Sequence, residues 1–286
     1  MKTNSHSIRI SGIIALTILL STKIFAQPTL PGDYVPFSAA GPESIDTVTV
    51  GSHMAYKVAG DPVIAGLPST VVNPSIFKWI FSPAVTIKKI DGSADLTTVE
   101  PNYYLEKEIR AVMPVVSTPT TMTLTINEKV RPVSGTGCEG TDSVANILVV
   151  LKPTLQWPGT KEISGCTATD VPITLSLTGY SQWVVTYNVL YTAYTSGALQ
   201  TMKLPNQTAT IGSNKTLTID NSVFDADGKY EIQIVNLTDR ISRKSLDQDA
   251  VKALAGTNIP AATDLYTINV LPTPKTKKLQ HVRNMP

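Results

Sequence analysis

Thr121-Met122-Thr123-Leu124-Thr125-Ile126 alternates polar and apolar at every step. A period of two places Met122, Leu124 and Ile126 on one face and the threonines on the other, the signature of a half-buried β-strand. The same reading extends in both directions. Ser44–Val50, Met54–Val58, Ile76–Phe81, Val85–Ile90, Glu106–Val112, Thr121–Val130 and Asp142–Lys152 form a first series of short strands separated by turn residues. After Lys152-Pro153, Val171–Thr178, Gln182–Leu190, Leu199–Leu204, Thr216–Ile219, Lys229–Leu237 and Leu265–Leu271 form a second. Strands at this spacing predict β-sandwiches. Long amphipathic helical patterns and the helix–strand alternation of parallel sheets are missing, and the abundance of Thr, Val, Ile and Pro suits strands and turns.

Pro cannot donate to a central ladder, so the Pro153–Pro158 stretch predicts a boundary. The two halves share a plan. Each has a Trp in a central strand, Trp79 and Trp183, and each closes on an apolar strand followed by Pro, at Pro153 and Pro272. The expected organisation is a signal peptide over 1–26, an extended leader over 27–43, a first sandwich over 44–155, a second over 156–272 and a basic Pro-rich tail over 273–286.

Lys2 and Arg9 precede the apolar run Ile10–Leu20, and Ala26 offers a small residue for cleavage before Gln27. That run is shorter than the roughly 20 apolar residues a membrane-spanning helix needs. The expectation is an exported protein of the periplasm or cell surface, with no transmembrane span in the mature chain. Of the chain's 24 Lys and Arg, three lie in the signal, leaving 21 against 22 acidic residues. A balance so near zero gives no electrostatic reason to expect nucleic acid as a partner.

Cys138 and Cys166 are the two cysteines of the chain, and neither belongs to a Cys-x-x-Cys pair. Export permits a disulfide between them, and two separate thiols are the alternative. Only His53 and His281 remain in the mature chain. A Ser-His-Asp arrangement would have to use one of them, and no nucleophile-elbow or zinc-protease motif is present. The expectation is no catalytic residue, no cofactor and no metal site. Asp225-Ala226-Asp227-Gly228 reads as a turn, being too short for a calcium loop. Tyr103-Tyr104, Tyr191 and Tyr194 read as packing residues, with a carbohydrate or protein contact as the other option.

Asp227-Gly228-Lys229-Tyr230-Glu231-Ile232 resembles the start of strand F in immunoglobulin-like domains. There a Tyr hydroxyl bonds back to the corner backbone. The resemblance implies that Tyr230 makes this corner, that Trp183 is the central-strand Trp, and that Ile232 with Leu175 or Leu177 replaces the usual half-cystines. Gly137-Cys138-Glu139-Gly140-Thr141, followed by Val149-Val150-Leu151-Lys152-Pro153, resembles the closing strands of the PKD-like and Ig-like repeats of Bacteroidetes surface proteins. This likeness implies two tandem immunoglobulin-like or PKD-like sandwiches. It also implies a non-enzymatic interaction or structural module of the cell envelope, an accessory of a large surface adhesin or of type IX secretion and gliding machinery. The partner would be another envelope or surface protein. The runner-up is a carbohydrate-binding accessory or an envelope enzyme that uses carboxylates.

Leu237–Ala262 separates the last two strands of the second half by far more than a hairpin loop. Ser245 is placed to cap a short helix, with Asp247 and Asp249 in its first turn and Gly256 past its end. Such an insertion is not needed to complete a sandwich and is free to serve recognition; the alternative is a helix that covers a sheet edge. Arg240, Arg243 and Lys244 in it, and Lys275, Lys277 and Lys278 in the tail, are the candidate partner-binding residues.

Overall fold

The computed structural model describes residues 46–166 and 169–274. The expected signal peptide and leader, the beginning of the first expected strand and the expected tail with Lys275, Lys277 and Lys278 lie outside the described residues. Among the described residues the chain is all-β, apart from the helical turn α1 (Pro62–Ala65) and two 3-10 turns. No described helix is long and apolar enough to cross a membrane.

The first half contains β1 (Asp46–Thr49), β2 (His53–Lys57), β3 (Val72–Ser82), β4 (Thr86–Lys89), β5 (Thr98–Glu100), β6 (Tyr103–Tyr104), β7 (Glu108–Val112), β8 (Thr120–Pro132), β9 (Cys138–Glu139) and β10 (Ser143–Val150). One sheet runs β1-β10-β8-β3-β6-β5, with β9 added to β8. The other runs β2-β7-β4. Between them Phe77, Trp79, Met122, Leu124, Ile126, Ile147 and their neighbours form one buried cluster. The expected alternation of β8 is present, with Met122, Leu124 and Ile126 inside.

The second half contains β11 (Leu155–Gln156), β12 (Glu162–Gly165), β13 (Val171–Thr174), β14 (Ser176–Leu177), β15 (Trp183–Ala193), β16 (Thr201–Ile211), β17 (Thr216–Ile219), β18 (Gly228–Thr238) and β19 (Tyr266–Val270). Its main sheet runs β12-β19-β18-β15-β16, faced by the pairs β13-β17 and β11-β14. A separate cluster, from Leu155 to Ile268, fills this half. The two halves share their topology. In each, the first strand of the larger sheet runs parallel to the last, β1 beside β10 and β12 beside β19. Ile147 pairs with Met122 in the first half as Ile268 pairs with Tyr230 in the second.

Three differences from the sequence reading have physical causes. The expected strand Val171–Thr178 is split, because β13 pairs with β17 while β14 pairs with β11. Ile173, Leu175 and Leu177 nevertheless all stay buried. The expected strand Leu199–Leu204 continues to Ile211 through a register shift, where the Asn206 amide donates to Asn188 Oδ1 at 2.8 Å. Pro205 is tolerated there because β16 is an edge strand. No α-helix forms over 245–255. The 3-10 turn Ser242–Lys244 and a series of turns take its place.

The Tyr230 corner forms as the resemblance implied. The Tyr230 hydroxyl donates to the Ala226 carbonyl at 2.8 Å and accepts from the Ala226 amide at 3.1 Å. Its ring is fully buried against Phe224 and Tyr191. Gly228 is required by close approach, since a Cβ there would lie 2.7 Å from the Thr192 carbonyl oxygen. Trp183 belongs to the same buried cluster at the opposite end of β15, its indole donating to the Thr178 carbonyl at 2.8 Å. Trp79 is buried in the first core and donates to the Glu106 carbonyl at 3.1 Å.

Candidate functional site

The long connection after β18 begins at Asp239, a carboxylate only 1 % exposed. Its Oδ1 accepts the amides of Ser242 (2.7 Å) and Ile241 (3.1 Å), and its Oδ2 accepts the Tyr180 amide at 2.9 Å. The Asp239 amide donates in turn to Ser242 Oγ at 2.8 Å. Short polar side chains that bond their own backbone favour turns over helix. Ser245 and Asp247 repeat the device. Ser245 Oγ donates to the Asp247 carbonyl at 2.7 Å, and Asp247 Oδ1 accepts the Asp249 and Ala250 amides. This chemistry replaces the expected helix.

The turns carry the connection onto the first half of the molecule. There β2 is the outer strand of its three-stranded sheet. His53, its first residue, offers unpaired backbone groups on that edge. The His53 amide donates to Ser245 Oγ at 3.0 Å, and the Leu246 amide donates to the His53 carbonyl at 2.8 Å. The insertion thus pairs with the first residue of an exposed sheet edge.

Side chains complete the junction. His53 and Arg110 are diagonal neighbours on β2 and β7. Arg110 Nε donates to His53 Nδ1 at 3.0 Å, and Arg110 Nη2 makes a second, shorter approach to the same atom. Asp247 Oδ2 lies 3.5 Å from His53 Nδ1 and 3.6 Å from Arg110 Nη2. Burial pulls the His53 pKa below its ordinary value, the Arg110 charge adds to this, and Asp247 opposes it. An imidazole that accepts from arginine through Nδ1 is neutral and carries its proton on Nε2. A little further along, Lys244 Nζ donates to Asp46 Oδ1 (3.4 Å) and the Thr47 carbonyl (3.3 Å), and Tyr56 donates to Asp46 Oδ2 at 3.4 Å. Lys152 Nζ reaches the Lys252 carbonyl at 3.1 Å.

Ser245, His53 and Asp247 do meet here, yet not as a catalytic triad. The serine hydroxyl accepts from the histidine backbone and donates to a carbonyl, while the imidazole nitrogen faces arginine. Ser245 is also buried. A nucleophile needs its hydroxyl proton directed at the imidazole.

The basic candidates separate. Lys244 faces Asp46, as above. Arg243 Nη1 donates to the Gln182 carbonyl at 2.8 Å, within the second half. Arg240 is exposed beside the buried Asp239. Cys138, on β9, and Cys166, just after β12, are both exposed free thiols. Tyr103 is buried, with its pKa pushed up to about 12 by burial first and then by Glu139. Asp225, in the turn before β18, pairs with Lys203. Among the described residues, no group of three or more His, Cys, Asp and Glu side chains converges as a metal site.

The insertion is also more than an appendage. Ala253 and Ile259 belong to the second core, and the Leu155 amide donates to the Asn258 carbonyl at 2.7 Å. The expectation that it is dispensable to the sandwich is corrected by these contacts. Arg110 and Asp239 were not marked by any motif, and nothing in the sequence reading brought His53, Asp46 and Asp247 together with them. They stand far apart along the chain, and only the unusual length of the connection signalled the region.

No protein-family model matches the chain, and no curated protein matches it. Solved structures do match. The fibronectin(III)-like modules of Clostridium thermocellum CbhA align over 86 % of this chain and 97 % of theirs, at 10 % identity and a TM-score of 0.31. The FN1–FN3 domains of chicken CNTN1 align over 81 % of this chain and 67 % of theirs, at 12 % identity and a TM-score of 0.35. Sidekick-1 immunoglobulin domains 1–4 align over 84 % of this chain and 48 % of theirs, at 14 % identity and a TM-score of 0.27. The topology is that of two tandem immunoglobulin-like β-sandwiches, each with the first and last strands of its larger sheet parallel, joined by the connection that follows β18.

Proposed function

We propose that this chain is a non-enzymatic, exported structural and interaction module of the cell envelope. The observation that supports this reading is the use of the long connection. Its hydroxyl, carboxylate and lysine groups tie one sandwich to the other instead of converging on a cavity. A pair of domains held in one orientation suits a spacer or a rigid docking platform. The chain divides, on this reading, into a signal peptide (1–26), a leader (27–43), two Ig-like or PKD-like domains (44–155 and 156–272) and a tail (273–286). The partner is another envelope or surface protein, as for an accessory of a surface adhesin or of type IX secretion and gliding machinery. Arg240 and the tail residues Lys275, Lys277 and Lys278 are its contact candidates. Arg243 and Lys244 contribute by holding the platform.

The test is co-purification of the tagged chain from native envelope, with Arg240→Glu and a Lys275/Lys277/Lys278→Ala variant run alongside. Recovery of one envelope protein, weakened in either variant, supports the reading. Recovery that is unaffected by both moves the contact to the sheet faces. Turnover of a polymeric substrate, abolished by one carboxylate substitution, overturns it.

A carbohydrate-binding role has one observation in its favour. An open depression beside β3 and β6 is lined by Lys78, Ile80, Asn102 and Tyr104. A glycan array with Tyr104→Ala as control distinguishes it from protein binding.

A further inference from the structure

We propose that the junction of His53, Arg110 and Asp247 is a pH-sensitive latch: protonation of His53 releases the 239–262 connection from β2, leaves the half-exposed Lys244 contact with Asp46 and Thr47 as the remaining tie, and widens the range of orientations of the two sandwiches. The inference does not depend on which partner the module binds.

The geometry supplies the switch. In the latched state His53 Nδ1 is an acceptor for Arg110 at 3.0 Å. Protonation turns that acceptor into a donor, so the Arg110 bond is lost and two cations face each other. Lys88, the β4 residue paired with Arg110, adds a third positive charge to the same strands. From the connection, Asp247 is the carboxylate within ion-pair distance. Asp249 is exposed, and Arg243 and Lys244 are already occupied with Gln182 and Asp46. From β1 and β2, Asp46 faces Lys244 and Tyr56. On β7, Glu108 shares the face of Arg110 and is paired with Lys57. Asp247 is therefore the carboxylate that confronts the growing positive cluster, and burial resists the charged imidazole first of all.

The consequence is local because His53 is also the backbone seat of the connection. Its amide and carbonyl hold Ser245 and Leu246. Displacing the ring strains both bonds, while each sandwich keeps its own apolar core. Asp239, which anchors the other end of the connection, bonds only groups of the second sandwich and does not move with His53.

The two natural cysteines provide the readout, one on each half and both exposed. Nitroxide labels on Cys138 and Cys166 should give one narrow distance distribution at pH 7.5 by pulsed electron resonance. At pH 5.0 the distribution should broaden, with a midpoint below the ordinary histidine value of about 6.5, while circular dichroism stays unchanged. His53→Asn, which keeps an acceptor and cannot be protonated, should stay narrow at pH 5.0. His53→Lys, permanently charged, should be broad already at pH 7.5. A narrow wild-type distribution at pH 5.0, equal broadening in His53→Asn, or loss of the β signal at pH 5.0 each overturns the latch.

Discussion

The connections between β8 and β10 and between β18 and β19 occupy the same place in the two sandwiches. Residues 133–142 of the first fold back on their own sheet, where β9 pairs with β8. Asn127 anchors them, donating to the Gly140 carbonyl and to Asp142 Oδ1, both at 2.8 Å. Residues 239–265 of the second are anchored by Asp239 but cross to the other half of the molecule. One polar side chain organises each connection, Asn127 from within β8 and Asp239 from just past the end of β18. Its length decides whether the remaining hydrogen bonds are made at home or across the junction. The first sandwich spends its loop on itself; the second uses the loop to acquire a neighbour.

The comparison breaks most visibly if the long connection is removed. Replacing 240–261 by Asn-Gly deletes Ala253 and Ile259 from the second core. Loss of a buried Ile alone costs about 2–5 kcal/mol, so chemical denaturation should show a destabilisation of at least that size. Cutting 134–141 to a two-residue turn removes no member of the first core cluster and should cost far less.

Asp239→Ala leaves three amides without their acceptor in a buried site and should cost about 3 kcal/mol in the same measurement. Asn127→Ala, the matching change in the first sandwich, removes bonds from a more accessible loop and should cost about 1–2 kcal/mol. Equal costs would remove the distinction between the two anchors. Tyr230→Phe sharpens a related contrast. It keeps the ring and loses the corner bond, at about 0.5–1.5 kcal/mol, whereas Met122, which takes the same register position in the first sandwich, has no such bond to lose.

The smallest effects lie at the exposed edge of the junction. Lys244→Ala should cost about 0.5 kcal/mol or less, as half-exposed ion pairs do. His53 should make stability depend on pH. Its folded pKa lies below the ordinary value, so the unfolded chain takes up the proton first as pH falls. The contribution is complete above about pH 6.5 and is lost progressively below it. His53→Asn should flatten that part of the stability curve, measured by urea midpoints from pH 5 to 7.5.

Local pattern alone identified the strands, because alternation of period two needs only neighbouring residues. Thr121–Ile126 shows it without reference to anything else, and Asp227-Gly228 before Tyr230 announced a corner that forms as expected. Trp79 and Trp183 were legible for the same reason, each lying in an apolar strand. What only the tertiary structure decided is the pairing of distant groups. The parallel seating of β12 against β19 joins residues about a hundred positions apart, and β12 carries a single partly buried hydrophobic, Ile163, to mark it. His53, Arg110 and Asp247 likewise sit in three separate segments, and their charges acquire meaning only through burial and proximity. The helix expected after Ser245 failed because Asp239, Ser245 and Asp247 found backbone partners in turns and because β2 offered an open edge. Hydrophobic periodicity is written along the chain; which polar groups will meet is settled when the sheets have packed.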